Sequence, residues 1–319
     1  MKKSTLITII AISSSLSGLT QAELSFDANL ELDTDAINTK VESTTYDQNG
    51  FVELNIYGKH QNGDNFVLSK GTVRLTTDGD DHVVVRDAYI QLGNSKWDLQ
   101  IGRFEAIDLF PLGKDTVIQH AGGVSVYEAN KVRGFVGDDG GQIALHINPT
   151  KHISFEIDTL FGDDDTAGDN TTAAAGVRPS ATWRTDGFRI TAGYEKVRYD
   201  LIAGGEIDQQ GYALSTNFDL GAANINAAAS YMEDDTTDQE VNSYIINFNY
   251  KNLGGGVIFS QEDNATGPDP EVTTAYLAYT VPIFDIKNAN VTFAGSFSTA
   301  DDVEDDETTA LRMRFNYTF

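Results

Sequence analysis

From Glu23 to Phe319, apolar and polar side chains alternate in runs of seven to eleven residues that follow one another along the chain. Leu24, Phe26, Ala28, Leu30 and Leu32 share one parity near the start. At the other end Leu311, Met313, Phe315, Tyr317 and Phe319 do so, with Arg312, Arg314, Asn316 and Thr318 on the opposite parity. Successive side chains of a strand point to opposite faces, so each run reads as a strand with one greasy and one polar face. Such runs fall at 23–32, 51–59, 66–76, 83–92, 96–102, 142–148, 152–161, 176–184, 188–196, 211–219, 224–232, 242–250, 255–261, 273–281, 290–298 and 309–319, sixteen in number.

The connections alternate too. After odd-numbered runs they are mostly long and acidic, as in "DTDAINTKVESTTYDQNG", "GDDDTAGDNTTAAA" and "TADDVEDDE"; after even-numbered runs they are short, as in "GNS", "PTK" and "TDG". A soluble sandwich has no reason to segregate its loops by length. An even number of strands with long loops at one end and short turns at the other is the plan of a membrane barrel. The predicted fold is all-β: a transmembrane antiparallel β-barrel of about sixteen strands. In such a barrel the last strand must pair with the first, because no edge can stay unpaired in hydrocarbon. A terminal aromatic then suits the interfacial belt.

Composition supports this plan. The formal charge of −26 argues against nucleic acid, whose phosphates need a basic face, and against a polybasic lipid anchor. No run of 18 apolar residues exists, so no transmembrane helix is expected, and there is no Cys. Residues 1–22 carry Lys2, Lys3, a short apolar run from Leu6 and a Thr20-Gln21-Ala22 cleavage site, the signature of a secretory signal peptide. Its removal would leave the barrel at 23–319, with charge −28.

With apolar parity toward lipid, the other parity faces a lumen. It places Lys59, Lys70, Arg74, Arg178, Arg184, Arg189, Arg312 and Arg314 inward, where they avoid the roughly 2–4 kcal/mol cost of a cation on the lipid face. Asn55, Asn217, Asn226, Asn247, Asn249, Thr292 and Asn316 join them. Sixteen strands enclose more space than side chains alone fill, so water is expected inside. Trp97, Trp183, Phe218 and Tyr250 fall on the lipid face as girdle anchors. Tyr57 and Tyr276 point inward and, with Phe110, are candidates for stacking on sugar rings.

The longest gap, 104–141, is moderately apolar, unlike its acidic neighbours. A loop this long is usually functional, and an apolar one needs burial; the space available is inside the barrel. Glu105, Asp108, Lys114, Asp115, His120, Glu128 and Lys131 would then reach toward the wall arginines and set a transverse field across a narrowed bore.

Here the sequence resembles a known family. "RDAYIQL", then "WDLQIGR", then the long loop, resembles the segment of Gram-negative general porins in which two strands precede the constriction loop. "GRFEAIDLFPLGKDTV" is most similar to glycoporins of the raffinose-porin type. The resemblance implies a homotrimer in the outer membrane, passive diffusion without cofactor or metal, and an eyelet of loop acids facing wall arginines. Carried over by position, it adds Arg86 and Arg103 to the wall and Glu105, Asp108 and Asp115 to the loop acids. It also implies that Tyr317 and Phe319 are read by the barrel assembly machinery. The chain departs in two places. Phe110-Pro111-Leu112-Gly113 stands where the family commonly has Pro-Glu-Phe-Gly-Gly. The parity of Ala88, Ile90 and Leu92 turns Arg86 toward lipid, so either a bulge intervenes or Arg86 sits above the membrane.

Other functions are weaker. "GDDDTAGDN" clusters oxygens but lacks a calcium loop ending in a bidentate Glu; such loops are solvated faces or divalent bridges to lipopolysaccharide. The five histidines are scattered with no nucleophile at recognisable spacing, which argues against a hydrolase. A non-conducting receptor or adhesin barrel is a third class. The expected partners are outer-membrane lipid, lipopolysaccharide and small hydrophilic solutes, with oligosaccharides favoured over non-specific, mildly cation-selective passage.

Overall fold

The computed structural model describes residues 23–77, 83–114, 116–134, 140–162, 171–201 and 205–319, without the side chains of 171–174 and 201. They form sixteen strands: β1 (Glu23–Thr39), β2 (Thr45–Asn62), β3 (Asn65–Thr76), β4 (Val83–Gly93), β5 (Trp97–Arg103), β6 (Gly141–Thr150), β7 (Ile153–Gly162), β8 (Thr171–Thr185), β9 (Phe188–Leu201), β10 (Glu206–Asp219), β11 (Ala223–Asp234), β12 (Gln239–Tyr250), β13 (Leu253–Asn264), β14 (Glu271–Pro282), β15 (Ala289–Asp301) and β16 (Glu307–Thr318). Every strand pairs antiparallel with its sequence neighbours, and β1 pairs with β16 to close the barrel. At the seam Asn29 lies opposite Thr318, and Ala28 and Phe319 exchange backbone hydrogen bonds at 2.9 Å. Tyr317 and Phe319 stack with ring centroids 5.3 Å apart.

The greasy parity faces outward. Leu54, Ile56, Ile101, Trp183, Phe218, Leu277 and Phe293 are all among the exposed large hydrophobics, the arrangement that lipid requires. The short turns are tight: β8 and β9 are joined by Asp186 and Gly187 alone, with Gly187 at φ 85°, where a β-carbon would be strained.

Two expectations change. Strands run further than alternation alone indicated, so much of the "DTDAINTKVESTTYDQNG" connection is strand, with only residues 40–44 between β1 and β2. Asp33 and Asp35 therefore belong to the wall and not to an outer loop. Secondly, β4 carries an extra residue: Gly71 pairs with Ala88 but Val73 pairs with Val85. This bulge puts Val85 and Ala88 outside with Arg86 and Asp87 together inside, answering the question of Arg86.

Candidate functional site

Residues 104–114 and 116–134 lie inside the barrel, and their apolar side chains seat on an apolar strip of the inner wall. Leu109 and Tyr127 pack against Ala213, Met232 and Val241. Phe110 is 1% exposed beneath Ala228, Ile245, Ile258 and Tyr276. Val117 meets Ala278, Ala294 and Ala310, and Val124 meets Val272 and Ala300. Burying each such side chain stabilises the docked loop by about 1.5–3 kcal/mol. The strip also explains why β12 is apolar on both parities, with Ile246 outward and Val241 and Ile245 under the loop.

Wall side chains satisfy the loop's backbone, as a buried irregular segment requires. Asn247 Nδ2 donates to the Pro111 carbonyl at 2.6 Å and the Tyr276 hydroxyl to that of Leu112 at 2.7 Å. Ser298 Oγ accepts from Ala121 N–H at 2.9 Å, Ser243 Oγ from Tyr127 N–H at 2.8 Å, and Glu262 from Ser125 N–H. The fully buried Arg178 guanidinium donates to the carbonyls of Ala129 at 3.2 Å and Ile107 at 2.7 Å. Beside it, Glu195 accepts from the Tyr127 hydroxyl at 2.6 Å and from Lys131 and Val132 N–H at 3.1 Å. Glu156 accepts from Ile107 N–H at 3.0 Å and bonds His146 at 3.1 Å; the other ring nitrogen of His146 is 2.5 Å from Asp98. Arg178 is thus a clamp and not a pore-facing cation, and Phe110 and Tyr276 are anchors and not stacking platforms. Arg178 and Tyr276 face inward but lie beneath the loop, and Phe110 is the loop side chain that covers that part of the wall.

The opposite wall, β16 through β4, carries Arg312, Arg314, Arg74, Lys70 and Arg86, each beside an acid. Arg312 donates through Nε and Nη2 to Asp35 at 2.7 and 2.5 Å, and Arg314 to Asp33 at 2.8 and 2.7 Å. Arg314 also lies 3.1 Å from Glu31. Arg74 donates to Glu53 at 3.1 and 2.8 Å, its guanidinium 3.7 Å from the Phe51 ring centroid. Lys70 bonds Asp87 at 2.7 Å and lies 5.8 Å from the Tyr57 ring. Paired guanidinium–carboxylate bonds of this kind are strong and directional. The wall is therefore a ladder of charges neutralised between adjacent strands, where the expectation was bare arginines facing loop acids. Arg86, 3.5 Å from Glu105, pairs a wall cation with a loop acid, and Arg312 Nη1 reaches the Thr116 carbonyl of the loop at 3.5 Å. Arg133, which the sequence reading did not single out, holds the loop acids from their own side, 3.4 Å from Glu105 and 3.8 Å from Asp108.

The other expected residues are placed as follows. Arg103 lies opposite Ala88 on the parity of Ile101, half-buried and with its Nε out of contact with solvent. Lys59 is exposed on the inward parity of β2, and Arg184 donates to Ser154 at 2.6 Å. Lys114 packs on Gly254 and shares a recess of about 380 Å³ with Arg312 and Arg314. His120 is hydrogen-bonded to Thr274 Oγ1 at 2.7 Å, and burial holds its imidazole down to about 4. Burial, reinforced by Asp108, pushes the Glu128 carboxyl up, while the Lys131 side chain is exposed. Asp115, His82 and the acidic run 163–170 lie outside the described residues. Arg189, Asp108 and Glu128 line a second recess, of about 390 Å³, with Asn217, Asn224, Asn226 and Asn249.

A closed barrel, greasy outside and polar within, with a loop bound along half its inner wall, defines a membrane-spanning channel of the outer-membrane type. The model of the family described as "Porin-like glycoporin RafY" matches residues 14–319, and the chain belongs to that family. No curated protein sequence matches it. Among solved structures it is similar to the outer membrane channel DcaP of Acinetobacter baumannii (14% identity, 95% of this chain and 100% of that one, TM-score 0.69) and to the anion-selective porin of Comamonas acidovorans (10%, 94% and 100%, 0.67). It is likewise similar to OmpT, an outer membrane protein of Vibrio cholerae in a trimer form (12%, 92% and 99%, 0.62). At these identities the structures share the fold. Family and fold make this protein a porin for passive diffusion, a channel and not an enzyme, in the outer membrane of a Gram-negative bacterium.

Proposed function

We propose that this porin passes small neutral oligosaccharides as well as other hydrophilic solutes, without a chemical step. The observation that carries the reading is the ladder on β16–β4, where every arginine has a carboxylate within 3.5 Å, so the path facing the loop is polar without strong net sign. Tyr57 keeps the stacking role expected of it and Phe51 joins it on the same wall, each ring with one face toward a cation, Lys70 or Arg74, and the other left for sugar C–H surfaces. The glycoporin description of the family supports the same class of solute. The decisive experiment is planar-bilayer conductance during titration with maltodextrins. Block at sub-millimolar sugar supports a sugar-adapted pore. Conductance indifferent to sugar favours the second reading, a general porin that the chain's acidic charge renders mildly cation-selective.

The assembly belongs to the same proposal. Residues 1–22 direct export and are removed, and Tyr317 and Phe319 form the terminal signal engaged by the barrel assembly machinery. The chain forms a homotrimer through the outer face of β1–β5. That face exposes chiefly aliphatic side chains such as Leu54, Ile56, Val67, Val85 and Ile90, whereas β8–β15 expose Trp183, Tyr212, Phe218, Tyr250, Tyr279 and Phe297 as a lipid girdle. Lipid and lipopolysaccharide surround the rest. Sedimentation in detergent tests this; a monomer refutes it.

A further inference from the structure

The geometry points to a binding subsite for one or two uncharged sugar rings in the recess of about 390 Å³ between the loop and the short-turn ends of β9–β12. This rests on the oligosaccharide reading above and names where the sugar is held.

The recess is at the scale of small-molecule pockets. Its wall is a chain of primary amides. Asn217 Nδ2 donates to Asn224 at 2.7 Å and to Asn226 at 2.6 Å, and Asn226 Nδ2 donates to Asn247 at 2.8 Å. Asn247 then holds the Pro111 carbonyl, which ties the chain to the loop that roofs the recess. Asn217 spends both amide hydrogens and also accepts from Asn224 at 3.2 Å, and Asn226 and Asn247 are buried, so the capacity this chain leaves for a ligand lies on Asn224 and on the second lone pair of the Asn217 oxygen. Asn249 and Arg189, on the same lining, make no side-chain hydrogen bond or ion pair among the described residues.

The charges decide the ligand's sign. The loop contributes Asp108 and Glu128, and Arg133 and Arg189 stand beside them, two of each sign. An ion would gain from one pair what it loses to the other. A neutral polyhydroxyl compound loses nothing, because each hydroxyl both donates and accepts, as each amide does. Pro111 and Leu112 add an apolar surface for the C–H face of a pyranose ring. The site is next to the β8–β9, β10–β11 and β12–β13 turns, so a solute that has passed the loop meets it on the way out.

The test is single-channel block by maltotriose added from the short-turn side. In Asn249→Leu and Asn217→Leu the half-blocking concentration should rise roughly tenfold, the scale of one or two lost neutral hydrogen bonds, with conductance in potassium chloride little changed. Unchanged block in both variants overturns the subsite but leaves the oligosaccharide reading standing. An unblocked wild-type channel overturns both. A second measurement needs no variant: glucosamine and glucuronate should block the wild-type channel more weakly than glucose. Equal or stronger block by either charged sugar overturns the assignment to a neutral ligand.

Discussion

Removing the carboxylates that neutralise the β16 arginines is the sharpest test of the lumen's electrostatics. In Asp33→Asn with Asp35→Asn, Arg312 and Arg314 lose their bidentate partners while side-chain volume is kept, and Glu31 remains 3.1 Å from Arg314. The wall changes by two units of charge. An ion passing at ~8 Å feels each unit charge by about 0.5 kcal/mol at the dielectric of water and about 2 kcal/mol at an effective value of 20. Screening over a Debye length of about 10 Å at 0.1 M salt trims the sum to roughly 1 kcal/mol. That corresponds to about a fivefold shift of the permeability ratio toward anions. Reversal potentials across a potassium chloride gradient at 0.1 M measure it. The control is Asp306→Asn, whose carboxylate pairs with Lys40 on the outer loops, with both side chains more than a third exposed; it should move the ratio far less. A ratio that changes less than twofold in the double variant, or that moves toward cations, would refute the argument that the wall pairs border the ion path.

Four further outcomes follow from the loop and the charge. Arg178→Met removes the clamp but leaves Glu195 and Glu156 buried without it, a loss of about 3–5 kcal/mol that should release the loop and raise open-channel noise; quiet wild-type-like currents would contradict it. Gly211→Val fills the space where the Tyr127 ring crosses to Glu195, so the loop should shift and the exclusion limit for polyethylene glycols should change. His120 is held neutral with its pKa near 4 against an ordinary 6.5, so docking is fully favoured above pH 6.5 and weakens as pH falls toward 4, by roughly 3 kcal/mol in all. Loop protection factors, taken relative to the intrinsic exchange rate that itself falls with pH, should therefore drop between pH 6.5 and 4, and His120→Gln should flatten that dependence. On the second reading a cation preference at low salt should fade as salt rises, since the formal charge of −28 on residues 23–319 acts on the ion path largely through water; equal permeabilities at low salt would count against it.

Much of the fold was legible because a strand's side-chain period is two and lipid enforces it on one face. Sixteen runs became sixteen strands, and the apolar loop went inside because no other place could bury Leu109, Phe110 and Val117. The site was legible only as a list of inward residues. Parity placed Arg178, Arg312 and Arg314 on the lumen side together, yet one is sealed under the loop and two are paired with Asp35 and Asp33. Glu195 and Glu156, which hold the loop, gave no signal beyond sharing that parity. Arg86 needed the bulge, which a one-dimensional pattern registers only as a conflict.

By itself the sequence determined the barrel, its strand number, its membrane and the segment that lies inside it, because all four follow from local alternation and length. Only the tertiary structure decided which charges meet, because β1 and β16 are neighbours through closure although Asp35 and Arg312 stand at opposite ends of the chain. Periodicity fixes the side to which a residue points. Register between distant strands, and the loop laid over them, fix what it meets there.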